Sequence, residues 1–302
     1  MGSGQRWAII ANPVAGRGKG RRLATELERL LARSGVEASL LWTTRSGEAE
    51  RLAADAVGKG TDGVLVCGGD GTVHEVVNGL MGAAEHPEQV SVGIAPAGRC
   101  NDLAACLGLP TDLRRIVEAV ESGRVRRIDL GRIGERYYAT VATLGFDSAV
   151  SQYVADGHAP AFLAGTPAYF YALFLQLLRY RDVPVRLRGD SLDFQGHIFL
   201  AATGNTPRYG GRMKIAPTAV VDDGLLDLCL VRSVSRLEVL KMVPRIFSGG
   251  HVHHPAVSLH RVRRLSIESL EPLWLWADGE RVAQTPATIE VVPKALSVLS
   301  PV

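Results

Sequence analysis

The sequence predicts an α/β domain, a parallel sheet flanked by helices, followed by an antiparallel β-sandwich. Three observations carry this. Apolar strand-like runs alternate with helical patterns over residues 7–107, the order that builds a parallel sheet with helices on both faces. After about Arg127 short β-like runs separated by turn residues take over, as in a sandwich. Glycine-bearing turns follow several early strands, at the edge where open α/β sheets gather ligands.

The elements follow in order. Trp7–Ala11 reads as a strand, and Gly20–Arg33 as a helix with Leu23, Leu27, Leu30 and Leu31 on one face and Gly35 just past its end. Ser39–Trp42 suits a strand, Glu48–Val57 a helix and Gly63–Val66 a strand. Thr72–Met81 is helical, Val90–Ala95 a strand and Asp102–Leu107 a short helix. In the second region strands are predicted at Tyr137–Leu144, Val183–Arg188, Leu192–Phe194, His197–Gly204, Leu226–Val231, Leu265–Glu268, Leu273–Ala277 and Thr288–Val292. Helices are predicted at Pro167–Tyr180 and Leu237–Phe247. The change of period places the domain boundary near Asp129, giving 1–128 and 129–287.

Composition narrows the class. A chain of 302 residues has room for two domains, and 46% hydrophobic against 22% charged residues excludes a disordered one. A net charge of +3 is too balanced to predict nucleic-acid binding. The four cysteines, Cys67, Cys100, Cys106 and Cys229, have neither metal nor disulfide spacing; all four are expected as buried free thiols in a reducing cytoplasm. No signal-peptide pattern opens the chain, and Arg6 stands where myristoylation needs Ser or Thr. The apolar stretch from Ala159 to Leu178 is broken by Pro160, Gly165, Pro167 and Gln176. Its helix falls short of the roughly 20 residues that span a bilayer, so a buried or surface-docked helix is expected.

Five loops and one lone aspartate could carry chemistry. Gly68-Gly69-Asp70-Gly71 joins a strand to a helix, and its glycines leave backbone N–H groups uncovered for phosphate. Asp70 would repel phosphate unless a cation such as Mg²⁺ bridges the two; a plain turn with Thr72 as N-cap is the simpler alternative. The basic, glycine-spaced run Asn12 to Arg22 also suits phosphate, without Walker or dinucleotide spacing. Asn101-Asp102 either caps a helix or adds a second carboxylate beside Asp70. Asp129 alone reads as structural. Asp222-Asp223-Gly224 suits a hard cation or an ordinary turn, and Asp278-Gly279 is an ordinary hairpin turn.

Together these segments resemble the diacylglycerol kinase catalytic-domain family, in its soluble bacterial lipid kinase branch. The resemblance runs in order through Asn12-Pro13-x-x-Gly16, Thr43 with Gly47-Glu48-Ala49, Gly68 to Thr72, and Pro96-x-Gly98-x-x-Asn101-Asp102. It continues through Asp129-x-Gly131, Gly145-Phe146-Asp147, Asp222-Asp223-Gly224 and Asp278-Gly279-Glu280. It implies a nucleotide-binding α/β domain like that of NAD kinases and diacylglycerol kinases, completed by about 288–302. A β-sandwich for the lipid and an active site in the cleft between them are also implied.

By this resemblance, ATP would be held by Asn12, Pro13, Val14, Ala15, Gly16, Thr43, the segment Gly69, Asp70, Gly71, Thr72, Val73, His74 and Glu75, and by Gly98 and Arg99. Asp70, Asp102 and Asp129 would position catalytic Mg²⁺ through waters, and Asp223 with the Leu225 carbonyl would hold a structural Mg²⁺. Glu280 would accept the proton of the lipid hydroxyl, with Asp278 in support and Asp70 as the alternative base. Three residues depart from the family pattern: Ala15 where serine is frequent, His74 where asparagine is common, and Arg99 where threonine is usual. The implied activity is transfer of the γ-phosphate of Mg-ATP to a hydroxyl of diacylglycerol or a related lipid, by a cytoplasmic enzyme meeting its substrate transiently at a membrane surface. Nucleic acid is not an implied partner, and homodimerisation is left open. The alternatives are an NAD-kinase-like small-molecule kinase and a non-catalytic lipid-binding module.

Overall fold

The computed structural model describes residues 5–160, 163 and 166–301. The chain runs β1 (Arg6–Ala11), α1 (Ala15–Arg33), β2 (Glu37–Trp42), α2 (Glu48–Gly58), β3 (Gly63–Gly68), α3 (Asp70–Ala83), β4 (Ser91–Pro96), α4 (Asp102–Cys106) and α5 (Leu113–Ser122). It continues through β5 (Val125–Ile133), β6 (Arg136–Tyr138), β7 (Val141–Gly145), α6 (Phe146–Ala155), α7 (Thr166–Arg179), β8 (Val183–Gly189), β9 (Leu192–Gly204) and β10 (Leu226–Arg232). It ends with α8 (Arg236–Ile246), β11 (Val257–Val262), β12 (Arg264–Ser269), β13 (Trp274–Ala277), β14 (Glu280–Gln284) and β15 (Ala287–Leu299).

In the first region β2, β1, β3 and β4 pair in parallel in that order. Alternation along β1 explains the two helical layers. Trp7, Ile9 and Ala11 pack with α1 and α5, whereas Ala8 and Ile10 pack with α2 and α3. A strand buried on both faces must be apolar throughout, as β3 is.

The second region is a two-sheet antiparallel sandwich. One sheet contains β14, β13, β7, the end of β9, β10 and β11; the other contains the start of β9, β8, β12, the start of β15, β5 and β6. Their inner faces share one apolar core. A second core lies under α6, α7 and α8 on the outer face of the first sheet. The runs Leu192–Phe194 and His197–Gly204, predicted as separate strands, are two halves of β9, each serving a different sheet.

The two regions share hydrogen-bonded strands. Ala287–Glu290 of β15 pairs with β12, whereas Ser297 and Val298 pair with β4 of the parallel sheet. β5 follows β15 along both halves, and the register breaks between Val292 and Leu296. Two helices go beyond the predicted elements. α5 is capped by Asp112, which accepts from Arg114 N–H (2.8 Å), and ends at Gly123 with φ +63°. α6 starts where Gly145 takes φ +100°. The thiols differ from expectation at Cys100, which is exposed, and at Cys106, which is half-buried. Cys100 sits in an open loop between β4 and α4 rather than in a core. Residues 161, 162, 164 and 165 of the apolar stretch lie outside the described residues.

Candidate active site

The loop after β1 is shaped by its glycines. Gly16, Arg17 and Gly18 all have positive φ, so the regular part of α1 begins beyond them, near the predicted start at Gly20. A Cβ on Gly16 would lie 2.1 Å from the Ala97 carbonyl oxygen, so only glycine lets this loop close on the turn after β4. Lys19 Nζ donates to the Pro96 carbonyl (3.1 Å) and Asn12 Oδ1 accepts from Val14 N–H (3.1 Å).

The glycine turns after β3 and β4 touch backbone to backbone. A Cβ on Gly98 would stand 2.5 Å from Gly69 Cα. Asn101, in the left-handed region at φ +50°, braces this contact: its side chain accepts from Gly98 N–H and donates to the Gly98 carbonyl, both at 2.9 Å. Asp70 reaches across the two turns and accepts from Asn101 N–H (2.8 Å) and Asp102 N–H (2.6 Å). Asp102 in turn accepts from Gly211 N–H (2.8 Å). Burial raises the Asp70 pKa, with the N–H bonds opposing it. Burial and then the Asp70 charge push Asp102 up to about 6. Two neighbouring carboxylates that resist ionisation together are a donor set for a hard divalent cation.

The opposite wall comes from the β13–β14 hairpin. Its two-residue turn, Asp278-Gly279, takes positive φ at both positions, the geometry Asp-Gly favours. Glu280 follows, and its Oε1 lies 3.5 Å from where a Cβ on Gly71 would be. The Glu280 pKa is raised, chiefly by desolvation, while the nearby His74 lowers it. Asp278 turns inward. One oxygen accepts from Thr140 N–H (2.9 Å) and Oγ1 (2.5 Å); the other accepts from Ala139 N–H (2.9 Å) and faces His74 Nδ1 at 3.2 Å. Burial alone would raise its pKa, but His74, Thr140 and Ala139 together hold it below the usual carboxylate range.

These parts enclose a cleft of ≈ 1020 Å³. Asn12, Pro13, Val14, Ala15, Gly16, Thr43, Gly69, Gly71, Thr72, Glu75, Gly98, Arg99 and Glu280 all line it. Thr44, Arg45 and Ser46 also line it, through a loop that sequence reasoning did not single out. Glu75 has a clear structural task there: its carboxylate accepts from Gly47 N–H (2.8 Å) and Ala49 N–H (3.0 Å), fixing the start of α2.

The structure gives four of the expected site residues partners other than the cleft. Val73 belongs to the core beneath α3, and His74, 2% exposed, turns to Asp278; neither faces the cleft expected for ATP contacts. Asp129 is fully buried, with its oxygens accepting from Gly224 N–H and Lys294 N–H, both at 2.7 Å. It holds the break in β15. Asp223, expected to hold a structural Mg²⁺ with Leu225, accepts from Leu225 N–H (3.1 Å) and pairs with the Arg261 guanidinium. Asn78, Thr140 and Gly211 are positioning partners without a motif signal, because their roles arise from long-range backbone contacts.

Residues 6–133 match the diacylglycerol kinase catalytic domain, and residues 140–300 match the YegS C-terminal NAD kinase beta sandwich-like domain. A diacylglycerol kinase from Mycobacterium tuberculosis is 36% identical over 299 residues, spanning 97% of this chain and 94% of that protein. The chain belongs to the diacylglycerol kinase family. Another relative, a diacylglycerol kinase from Staphylococcus carnosus, is 32% identical and spans 98% of this chain and 95% of its own length. The fold agrees with a crystal structure of a diacylglycerol kinase from Bacillus anthracis strain Sterne: the TM-score is 0.74 at 20% identity, covering 99% of this chain and 98% of the other. As a member of this family the chain is an enzyme, a lipid kinase. Among the described residues, no helix is long and apolar enough to cross a membrane.

Proposed function

We propose that this diacylglycerol kinase family member transfers the γ-phosphoryl group of ATP to a hydroxyl of diacylglycerol or a closely related lipid, with Mg²⁺ as cofactor. One observation carries the reading. A carboxylate from the sandwich, Glu280, reaches the phosphate-suited turn at Gly71 on the edge of the cleft. Phosphoryl transfer needs positioning and charge stabilisation more than covalent chemistry. The turns at Gly69–Thr72 and Gly98 would offer backbone N–H groups to the phosphates. Asp70 and Asp102 fit a cation by their proximity and mutual charge. Bound there, Mg²⁺ would neutralise phosphate charge. Glu280 would accept the proton of the attacking hydroxyl, and its raised pKa brings its basicity closer to that of a working general base.

The acceptor is a lipid at a bilayer surface in this reading. Supporting it, α7 exposes Phe170 and Phe174 at 63% and 60% on successive turns, apolar area suited to an interface. The test is transfer of ³²P from γ-labelled Mg-ATP into organic-extractable product with diacylglycerol in mixed micelles. Labelled phosphatidic acid from the wild type, and none from Glu280→Ala or Asp70→Ala, is expected. Label appearing only with NAD or another water-soluble acceptor would overturn the reading.

A further inference from the structure

His74 is 2% exposed and does not line the cleft. It lies in the second turn of α3, the helix whose start is the Gly69–Thr72 turn. Its Nδ1 is 3.2 Å from Asp278 Oδ2, with side-chain exposures of 2% and 5%. Asp278 is the first residue of the turn that presents Glu280. Its other acceptor bonds come from Ala139 and Thr140, between β6 and β7. Through its contact with Asp278, His74 therefore ties the base-bearing hairpin directly to the phosphate-turn helix.

The proton can be assigned. A carboxylate can only accept, so Nδ1 must donate. Nε2 faces Asn78 Nδ2 at 3.4 Å, but that amide already donates to the His74 and Tyr137 carbonyls, each at 2.9 Å. Asn78 also accepts from Tyr137 N–H (2.9 Å), pairing α3 with β6 one turn beyond His74. The imidazole is thus held on one side by a fixed amide and aimed on the other at the hairpin.

We propose that His74 is a positioning residue for phosphoryl transfer, a latch that fixes the Asp278–Glu280 hairpin against the phosphate-turn helix. The proposal rests on the kinase reading above. General-base catalysis needs Glu280 within hydrogen-bond reach of the acceptor hydroxyl, and its own contact with α3 is a surface approach at Gly71. The latch one turn along the helix supplies the further constraint. The charged groups around this junction are Asp278 and Glu280 from the hairpin, Asp70 and Glu75 from α3, and Arg136 from β6. Removing the imidazole takes away a donor to the first of these and leaves the two hairpin carboxylates less compensated.

Two variants and two measurements decide the matter. His74→Leu keeps bulk without the donor, and His74→Asn returns an amide donor at a reach similar to Nδ1. In His74→Leu, kcat is expected to fall about tenfold or more, with the KM for ATP within about twofold, because one charge-assisted hydrogen bond is lost outside the nucleotide site. The acid limb of the kcat profile should move to higher pH, since Glu280 becomes harder to ionise. His74→Asn should recover most of kcat. The second measurement needs no catalysis: hydrogen exchange of amides 274–284 should accelerate in His74→Leu and not in His74→Asn. Unchanged exchange would overturn the latch, and accelerated exchange with wild-type kcat would overturn its positioning role. A wild type inactive on every lipid, with the exchange difference intact, would count against the kinase reading while upholding the latch.

Discussion

Two pairs of aspartates show opposite uses of one side chain. Asp70 and Asp102 stand together at the glycine turns, linked by a 2.6 Å bond from the Asp102 N–H, and both have raised pKa values. Asp278 and Asp129 lie in the second region and its junction, each accepting from two backbone N–H groups distant in sequence. Desolvation raises Asp70 and Asp102, and the Asp70 charge raises Asp102 further, whereas His74 and Thr140 bring Asp278 down despite its burial. The first pair retains an unmet demand for positive charge, which suits a cation and phosphate. The second ties distant strands and loops together and serves as internal fastening. Proximity of a carboxylate to an active site thus says little about its role until its partners are identified.

The sharpest separation should come from Glu280, whose carboxylate lines the cleft. Glu280→Gln preserves shape and removes the base. Its kcat should fall by about 10²–10⁴ while ATP binding, followed by calorimetry, stays near wild type. Near-wild-type turnover would shift the base to Asp70 and erase the division between the pairs.

Asp129→Leu tests the fastening role. Two backbone N–H groups, of Gly224 and Lys294, would lose their acceptor, and an apolar side chain would fill a site built for a buried carboxylate. The expected loss is about 3–5 kcal/mol of stability, read from urea unfolding. A loss below about 1 kcal/mol would mean that strand pairing alone holds the break in β15.

Much of this division was hidden in the sequence for a definite reason. The glycine turns were legible because close backbone approach restricts residue type locally, as at Gly16 and Gly98. The first-region strands were legible from apolar runs between such turns. Asp278 was not: its partners Ala139, Thr140 and His74 lie 139, 138 and 204 positions away, and two of its bonds come from backbone that any residue supplies. Asp129 misled for the same reason, because a motif position reports that an aspartate stands there, not what its oxygens accept. The helix α5 was legible in principle, since Asp112 and Gly123 bracket it as a cap and a stop.

Stability against pH should also differ in sign between Asp102 and Asp278. Asp102, raised from 3.8 to about 6, favours the folded state below its unfolded pKa, and that contribution is lost as pH rises through about 6. Asp278, lowered, contributes above pH 3.8 and loses its contribution as pH falls through its folded value. Asp102→Asn should therefore melt at least about 2 °C above wild type at pH 8, the shift that roughly 1 kcal/mol makes in a domain of this size. The difference should vanish near pH 4. A variant less stable at pH 8 would mean that the bond from Gly211 to the charged carboxylate outweighs its desolvation.

The smallest effect concerns Arg136, whose guanidinium grips Glu50 at 2.8 and 2.9 Å with both side chains 35% exposed. It also lowers the Glu280 pKa through its charge. A pair this exposed contributes about 0–1 kcal/mol, so Arg136→Gln should shift the melting temperature by no more than about 3 °C. Its acid limb should still move upward, because a positive charge near the base is lost. Since that action passes through solvent, about 0.5 M NaCl should remove most of the difference from wild type. The His74→Leu shift comes from a buried contact and should survive the same salt. If both shifts collapse together, the base is governed by the diffuse field of the cleft; if only the Arg136 shift does, the buried bond to Asp278 sets it.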